Sequence, residues 1–275
     1  MTATLVHDTA PGPGPETGPE FLEDSRPVVA LRAIGVIAHR DLLRQVKRPG
    51  MLASQGVQIL FFVLVYAVGF NAMIGSVDAM PFSAYVFPGI IAIQVVSIGV
   101  ASGQTYAWDR EYGVLRELLV APVPRICLPL GKVVAGAGMV TAQSVVMLAF
   151  APLTGIALTP GRFAAAVGVY ALTAVVFSVI GLSLATVIKR VQTLQAAVQL
   201  AMFPMLFLSG SVFSAQDAPT WLAWIMHLNP MTYAVDLARQ TLLGNGGLLP
   251  WWADLGALAG CLCVVLTVLR LRSGR

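Results

Sequence analysis

The stretch WDREYGVLRELLVAPVPR, residues 108–125, gathers six charged residues in a chain whose charged fraction is 11%. An apolar run, AYVFPGIIAIQVVSIGVASGQTYA at 84–107, precedes it, and a second run at about 132–157 follows. If both runs cross a bilayer, the charged stretch is a connection on one membrane face, and the topology can be counted outward from it. Composition supports that reading. The 275 residues are 57% hydrophobic with mean hydropathy +0.80, whereas soluble domains carry about 25% charged residues. Too little polar surface remains to face water all round, which leaves a polytopic membrane protein.

Counting outward gives six apolar runs, at about 51–75, 84–107, 132–157, 163–188, 194–213 and 251–269. Each reaches the ~20 residues that span a bilayer as a helix, although Pro204 and Gly210 interrupt the fifth. The fold class is therefore all-α, a polytopic membrane protein with six transmembrane helices. Residues 1–27, rich in Pro, Gly and acid and lacking an apolar core segment, read as a disordered cytoplasmic tail rather than a signal peptide. Residues 28–275 form one transmembrane domain. An even span count puts both termini on one side, and the positive-inside rule chooses which. Fifteen of the 17 Lys and Arg residues, including Arg40, Arg44, Arg110, Lys132, Lys189, Arg190 and Arg270, fall on the same side, while Arg162 and Arg239 fall on the other. That assigns the termini, and residues 108–125, to the cytoplasm of a multi-pass cell-membrane protein. The net charge of +4 lies at membrane edges, so no nucleic-acid partner is expected.

Two stretches are neither tail nor span. Residues 28–48 place Leu31, Ile34, Ala38, Leu42 and Val46 on one helical face, with Arg40, Arg44, Lys47 and Arg48 roughly opposite. This is the pattern of a helix lying in the interface against membrane lipids; an extension of the first span is the alternative. Residues 214–249, on the external side, are too aromatic for a solvated loop and are broken by Pro219 and Pro230. With Trp221, Trp224 and Tyr233 suited to headgroup level, short re-entrant helices are expected there.

The spans hold neutral polar residues such as Gln94, Gln143, Ser178 and Gln199 and no charge at central depth. Asp254 and Lys132 lie near span ends, where snorkelling or hydration is easy. Ion-coupled carriers need intramembrane titratable groups, so that class is disfavoured. No Walker-type phosphate loop is present: Gly131-Lys132 is followed by Val. No HExxH or GxSxG occurs, and Cys127, Cys261, Cys263 and three scattered His make no metal cluster. A membrane-embedded lipid-modifying enzyme would have to use Asp217, His227, Asp236 and Arg239, whose spacing matches no known constellation. Work done by this chain would draw on energy supplied by another polypeptide; a purely structural membrane anchor is the remaining alternative. Gly99…Gly103 and Gly256…Gly260 both match G-x-x-x-G, for which packing within the chain is the expected use and a dimer contact the alternative.

Within 108–125, helical composition runs from Asp109 to Val120 and ends at Pro122 and Pro124. Val114, Leu115, Leu118 and Leu119 form an apolar stripe; Asp109, Arg110, Glu111, Arg116 and Glu117 fill the rest. Mixed charge suits docking to a protein better than lying on anionic lipid.

REYGVLRELLVAPVPR…LGK resembles the cytoplasmic signature of type-2 ABC exporter permeases, with Glu111, Gly113, Glu117, Leu118-Leu119 and Pro122-Val123 in the matching places. Arg116 stands where that family more often has a small or polar residue. The later SGSVFSAQDAPTWLAWIMHLNPMTYAVDLAR is similar to the family's second signature, through Ser209-Gly210, Pro219-Thr220-Trp221-Leu222 and Asn229-Pro230. The likeness is strongest to daunorubicin-resistance and nodulation-export permeases. It implies a half-sized permease that pairs with a second copy or a homologue, and a separate cytoplasmic ABC ATPase that binds ATP and Mg, with no cofactor on this chain. It also implies that 108–125 is a coupling helix. Arg110 and Glu117 would make its charged contacts, Leu118 and Leu119 its anchors, and Gly113 a close approach. Export of a hydrophobic, drug-like or lipid-linked substrate follows, with multidrug efflux or antibiotic resistance as its setting.

Overall fold

A computed structural model of the chain describes residues 26–47, 49–65, 76–77, 80–113, 127–211, 219–244 and 247–273. These residues are helical almost throughout. The helices are α1 (Arg26–Val46), α2 (Pro49–Leu64), α3 (Phe82–Glu111), α4 (Cys127–Leu148), α5 (Pro160–Val187), α6 (Val191–Phe207), α7 (Thr220–Leu228), α8 (Pro230–Leu243) and α9 (Trp251–Ser273). A two-residue antiparallel pairing, β1 (Ser76–Val77) with β2 (Met80–Pro81), precedes α3.

Four of these helices have the length and apolarity to cross a membrane, within α3, α4, α5 and α9. The six spans expected from the sequence are therefore not all present at full length. The described part of the first run is the 16-residue α2, and residues 66–75 lie outside the described region. The fifth run forms the 17-residue α6, shorter than drawn because the chain turns at 208–210. There Ser209 bonds back to the Leu206 carbonyl at 2.7 Å and Gly210 takes a φ of +69°, a conformation that favours glycine. The third run stops at Leu148 rather than near 157, followed by a 3-10 turn at Ala151–Thr154.

α3 is the axis of the bundle. Its most extensive partner is α5, and α4, α8 and α6 surround it. The α3–α5 crossing is a backbone contact. A Cβ on Gly103 would overlap the Gly181 carbonyl group, and one on Gly181 would overlap the Val100 carbonyl oxygen. Gly99 meets Phe177 a turn away, where an added Cβ would come within 3.1 Å of that residue's own. The 99–103 motif thus serves packing within the chain, as expected. For Gly256 and Gly260 of α9 no such contact is present among the described residues: no neighbouring atom lies within 4 Å of where their Cβ would stand.

Pro88 sits inside α3, where it removes a backbone donor. Its carbonyl accepts the buried Tyr170 hydroxyl of α5 at 3.1 Å. Thr159 caps α5 by accepting from the Arg162 N–H, and Pro160 opens the helix, the combination expected at a helix start. α1 lies along α4, with Ile37 against Gly131 and Leu42 near Gly138. Of its expected apolar face, Ala38 is buried and Ile34 and Leu42 half-buried, while Leu31 is exposed.

Candidate functional site

Among the described residues, charged side chains concentrate at the two ends of the bundle. At the basic end, α3 finishes with Asp109, Arg110 and Glu111, and each reaches a different neighbour. Asp109 forms an ion pair with Lys132 of α4, whose ammonium also lies 3.3 Å from Asp41 of α1; Asp41 in turn pairs with Arg40 at 3.0 Å. Lys132 is only 5% exposed, so the expectation that it snorkels to water is corrected. It is a buried cation answered by two carboxylates, the condition under which a buried charge is tolerable.

Arg110 turns onto the end of α5. Its guanidinium donates to the carbonyl oxygens of Ala185 at 2.8 Å and of Ile188 and Lys189 at 2.9 Å. The last carbonyls of a helix lack partners within it, and a planar fork of donors can satisfy several together. The Glu111 carboxylate accepts from the Val191 N–H at 3.2 Å, at the start of α6. Beyond Tyr112, which stacks on Trp108 with ring centroids 5.5 Å apart, Gly113 takes a φ of +78°. That left-handed step ends α3, the usual reason for glycine after a helix. Among the described residues no atom crowds the position. The helix expected to begin at Asp109 is thus, for its first three residues, the continuation of the second span. Arg116, Glu117, Leu118, Leu119 and Pro122 lie outside the described residues.

At the opposite end the second signature is assembled. Asn229 accepts from the Met231 N–H at 3.0 Å, capping α8, while its amide donates to the Met205 carbonyl at 2.8 Å near the end of α6. The Thr232 hydroxyl reaches the Leu208 and Met226 carbonyls, at 3.1 and 2.7 Å. Ser209, Gly210, Asn229 and Pro230 are thereby brought together. Tyr233 donates to the His227 carbonyl at 2.6 Å. Burial, and after it the Asp254 carboxylate, push the Tyr233 phenol above its ordinary pKa, keeping it a donor. Pro219 precedes α7, on which Trp221, Trp224 and Leu228 are exposed. Asn229→Ala removes both a cap and a tertiary bond and is expected to cost about 1–2 kcal/mol. Asn229→Asp, which keeps the cap acceptor and loses the donor, should cost about half of that; thermal unfolding of the detergent-solubilised protein measures both.

Sequence reasoning missed a buried charged group behind this signature. Asp236, Arg239 and Asp254 are all buried, so Asp254 is not hydrated at a span end as expected, and Asp236 and Arg239 are not surface groups. Asp236 accepts from the Leu248 N–H at 2.8 Å and the Leu249 N–H at 3.1 Å, pinning the link from α8 to α9. Gln240 joins it to Asp254 with contacts of 3.2 and 2.8 Å. Arg239 stacks 4.1 Å above the Tyr85 ring and donates to the Gly210 carbonyl at 2.9 Å. The 3- and 4-residue spacing of 236, 239 and 240 on one helix was the available signal. A cavity of about 530 Å³ lies beside this group, lined by Val169, Leu237, Gln240, Thr241, Trp251 and Leu255. Among the described residues no three His, Cys, Asp or Glu side chains are placed to hold a metal.

These features define a class: a multi-pass helical membrane protein whose charged groups, among the described residues, collect at the two ends of an apolar bundle. Within that class the chain belongs to the ABC-2 type transporter family, whose model matches residues 32–243. It is similar to the "Probable multidrug ABC transporter permease YbhR" of Escherichia coli (strain K12), 27% identical over 63% of this chain and 48% of that protein, so it spans about half of that relative's length. It also resembles "Nodulation protein J" of Neorhizobium galegae, 27% identical over 72% of this chain and 76% of that one. A third relative is "Inner membrane transport permease YadH" of Escherichia coli (strain K12), at 24% identity over 68% and 73%.

Proposed function

We propose that this chain is the membrane subunit of an ATP-driven exporter, working with a separate cytoplasmic ATPase and a second permease copy or homologue. The observation that supports it best is the foot of α3. There Asp109, Arg110 and Glu111 tie α1, α4, α5 and α6 together at the end of the bundle where the sequence continues into the docking signature. On this reading the basic end and both termini are cytoplasmic, and Glu117, Leu118 and Leu119 face the ATPase with Arg116 and Pro122 beside them. ATP and Mg are held by the partner. The multidrug and nodulation names of relatives, and spans carrying uncharged polar side chains, favour an amphipathic compound taken from the bilayer. The external signature at Ser209-Gly210, Trp221 and Asn229-Pro230 then shapes the outward opening.

The test is co-purification of the tagged chain with its cognate ATPase. Wild type is expected to retain the ATPase, and Glu117→Lys, by reversing charge on the docking segment, to lose it by roughly tenfold in affinity or more. Equal retention by both removes Glu117 from the interface; no retention by wild type overturns the reading.

A further inference from the structure

The link between α5 and α6 is three residues, 188–190, and both of its flanking helix ends are held by one dipeptide of α3. Arg110 places its cation on the carbonyl end of α5, and Glu111 places its anion on the N–H end of α6. Each charge is matched to the end of the helix dipole that it stabilises. Lys189 and Arg190 within the link are exposed, so the inward cation is supplied by α3 and not by the link itself. Three of the five Arg110 N–H donors are spent on these carbonyls, and a contact that drew the guanidinium away would leave the end of α5 without those partners.

We infer that Arg110 and Glu111 are positioning residues that clamp the α5–α6 turn to the foot of α3, and that docking of the ATPase does not depend on them. A displacement imposed on the foot of α3 then moves the basic ends of α5 and α6 with it. The inference rests on the proposed function and changes the charged-contact role the resemblance gave Arg110. It predicts that the clamp and the docking contact fail separately.

The experiment uses the complex of the full chain with the ATPase, with spin labels at Tyr112→Cys and Gln192→Cys, both exposed positions flanking the clamp, and with Cys127, Cys261 and Cys263 replaced. In the otherwise unmodified chain the label-to-label distance distribution is expected to be narrow and unchanged between nucleotide-free and ATP-analogue-bound states. Arg110→Ala combined with Glu111→Ala is expected to keep the ATPase at full stoichiometry while the distribution broadens and shifts with nucleotide. Glu111→Gln alone, which keeps an acceptor for the Val191 N–H, should keep it narrow. A distance that shifts with nucleotide in the unmodified chain, or stays narrow in the double-alanine chain, overturns the clamp. Loss of the ATPase by a folded double-alanine chain overturns the claim that docking does not depend on these residues. Should the double variant fail to fold, Arg110→Lys, which keeps the charge and cannot span three carbonyls, is read by the same criteria. An unmodified chain that binds no ATPase instead overturns the proposed function, and the inference with it.

Discussion

Replacing Gly181 with valine is expected to be among the most damaging single changes in the bundle. The α3–α5 crossing leaves no room for a Cβ, and the atoms in the way are the backbone Cα and carbonyl group of Val100, which no rotamer change can move. The helices would have to separate along the most extensive contact of the fold. Overpacking of this kind costs about 3 kcal/mol at the upper end of its usual range, and in lipid the lost close approach is not replaced by a hydrophobic gain elsewhere. Gly103→Val should behave alike. Gly256→Val in α9, where no neighbouring atom of the described residues lies within 4 Å, is the control and should stay within about 0.5 kcal/mol of wild type. Monodispersity and melting temperature in detergent decide between them. Equal stability of the Gly181 and Gly256 variants would mean that α3 and α5 do not cross at that point.

Lys132→Met is expected to be at least as severe, for an electrostatic reason. Lys132 and Arg40 answer Asp41 and Asp109, two cations for two carboxylates. Removing Lys132 leaves Asp41 with Arg40 and leaves Asp109 without its cation. Breaking a buried pair from one side costs up to about 3–5 kcal/mol, and Asp109, 13% exposed, would be left largely buried without a cation. Adding Asp109→Asn removes that charge and should restore a large part of the lost stability, so the double variant is expected to be more stable than Lys132→Met alone. The non-additivity, read as the difference in melting temperature around the mutant cycle, measures the coupling. If the second substitution lowers stability further, Asp109 is paired elsewhere and the three-helix junction is wrong.

What could be read from the chain in advance was what local pattern determines. The run at 163–188 became α5 because Thr159 and Pro160 open it and the chain straightens at Ile188. Asn229-Pro230 was legible as a unit because a cap and a first-turn proline are neighbours in sequence as well as in space. The partners of Lys132 were not legible. Asp41 is 91 residues away, and a lysine near a span end looks alike in sequence whether it reaches water or an acid. Asp254 failed for the same reason, its only sequence context being an apolar run that it opens. The two G-x-x-x-G motifs, identical on paper, met opposite fates, since the motif records a capacity for close approach and not the presence of a neighbour. Length was misjudged where a turn depends on a single backbone conformation, as at Gly210.

The 30 residues of α3 make a rod about 45 Å long, against a hydrocarbon layer of about 30 Å. An upright α3 would therefore protrude by about 15 Å, and a tilted one would still place an end beyond the acyl chains. The stacked Trp108 and Tyr112 are the residue types that settle at the headgroups, and they bracket the three charged residues between them. Hydrophobic mismatch then falls on the apolar stretch before Trp108, so a thicker or thinner bilayer can be met by tilting the rod about an aromatic collar, while the ionic joint at its foot stays out of the oil.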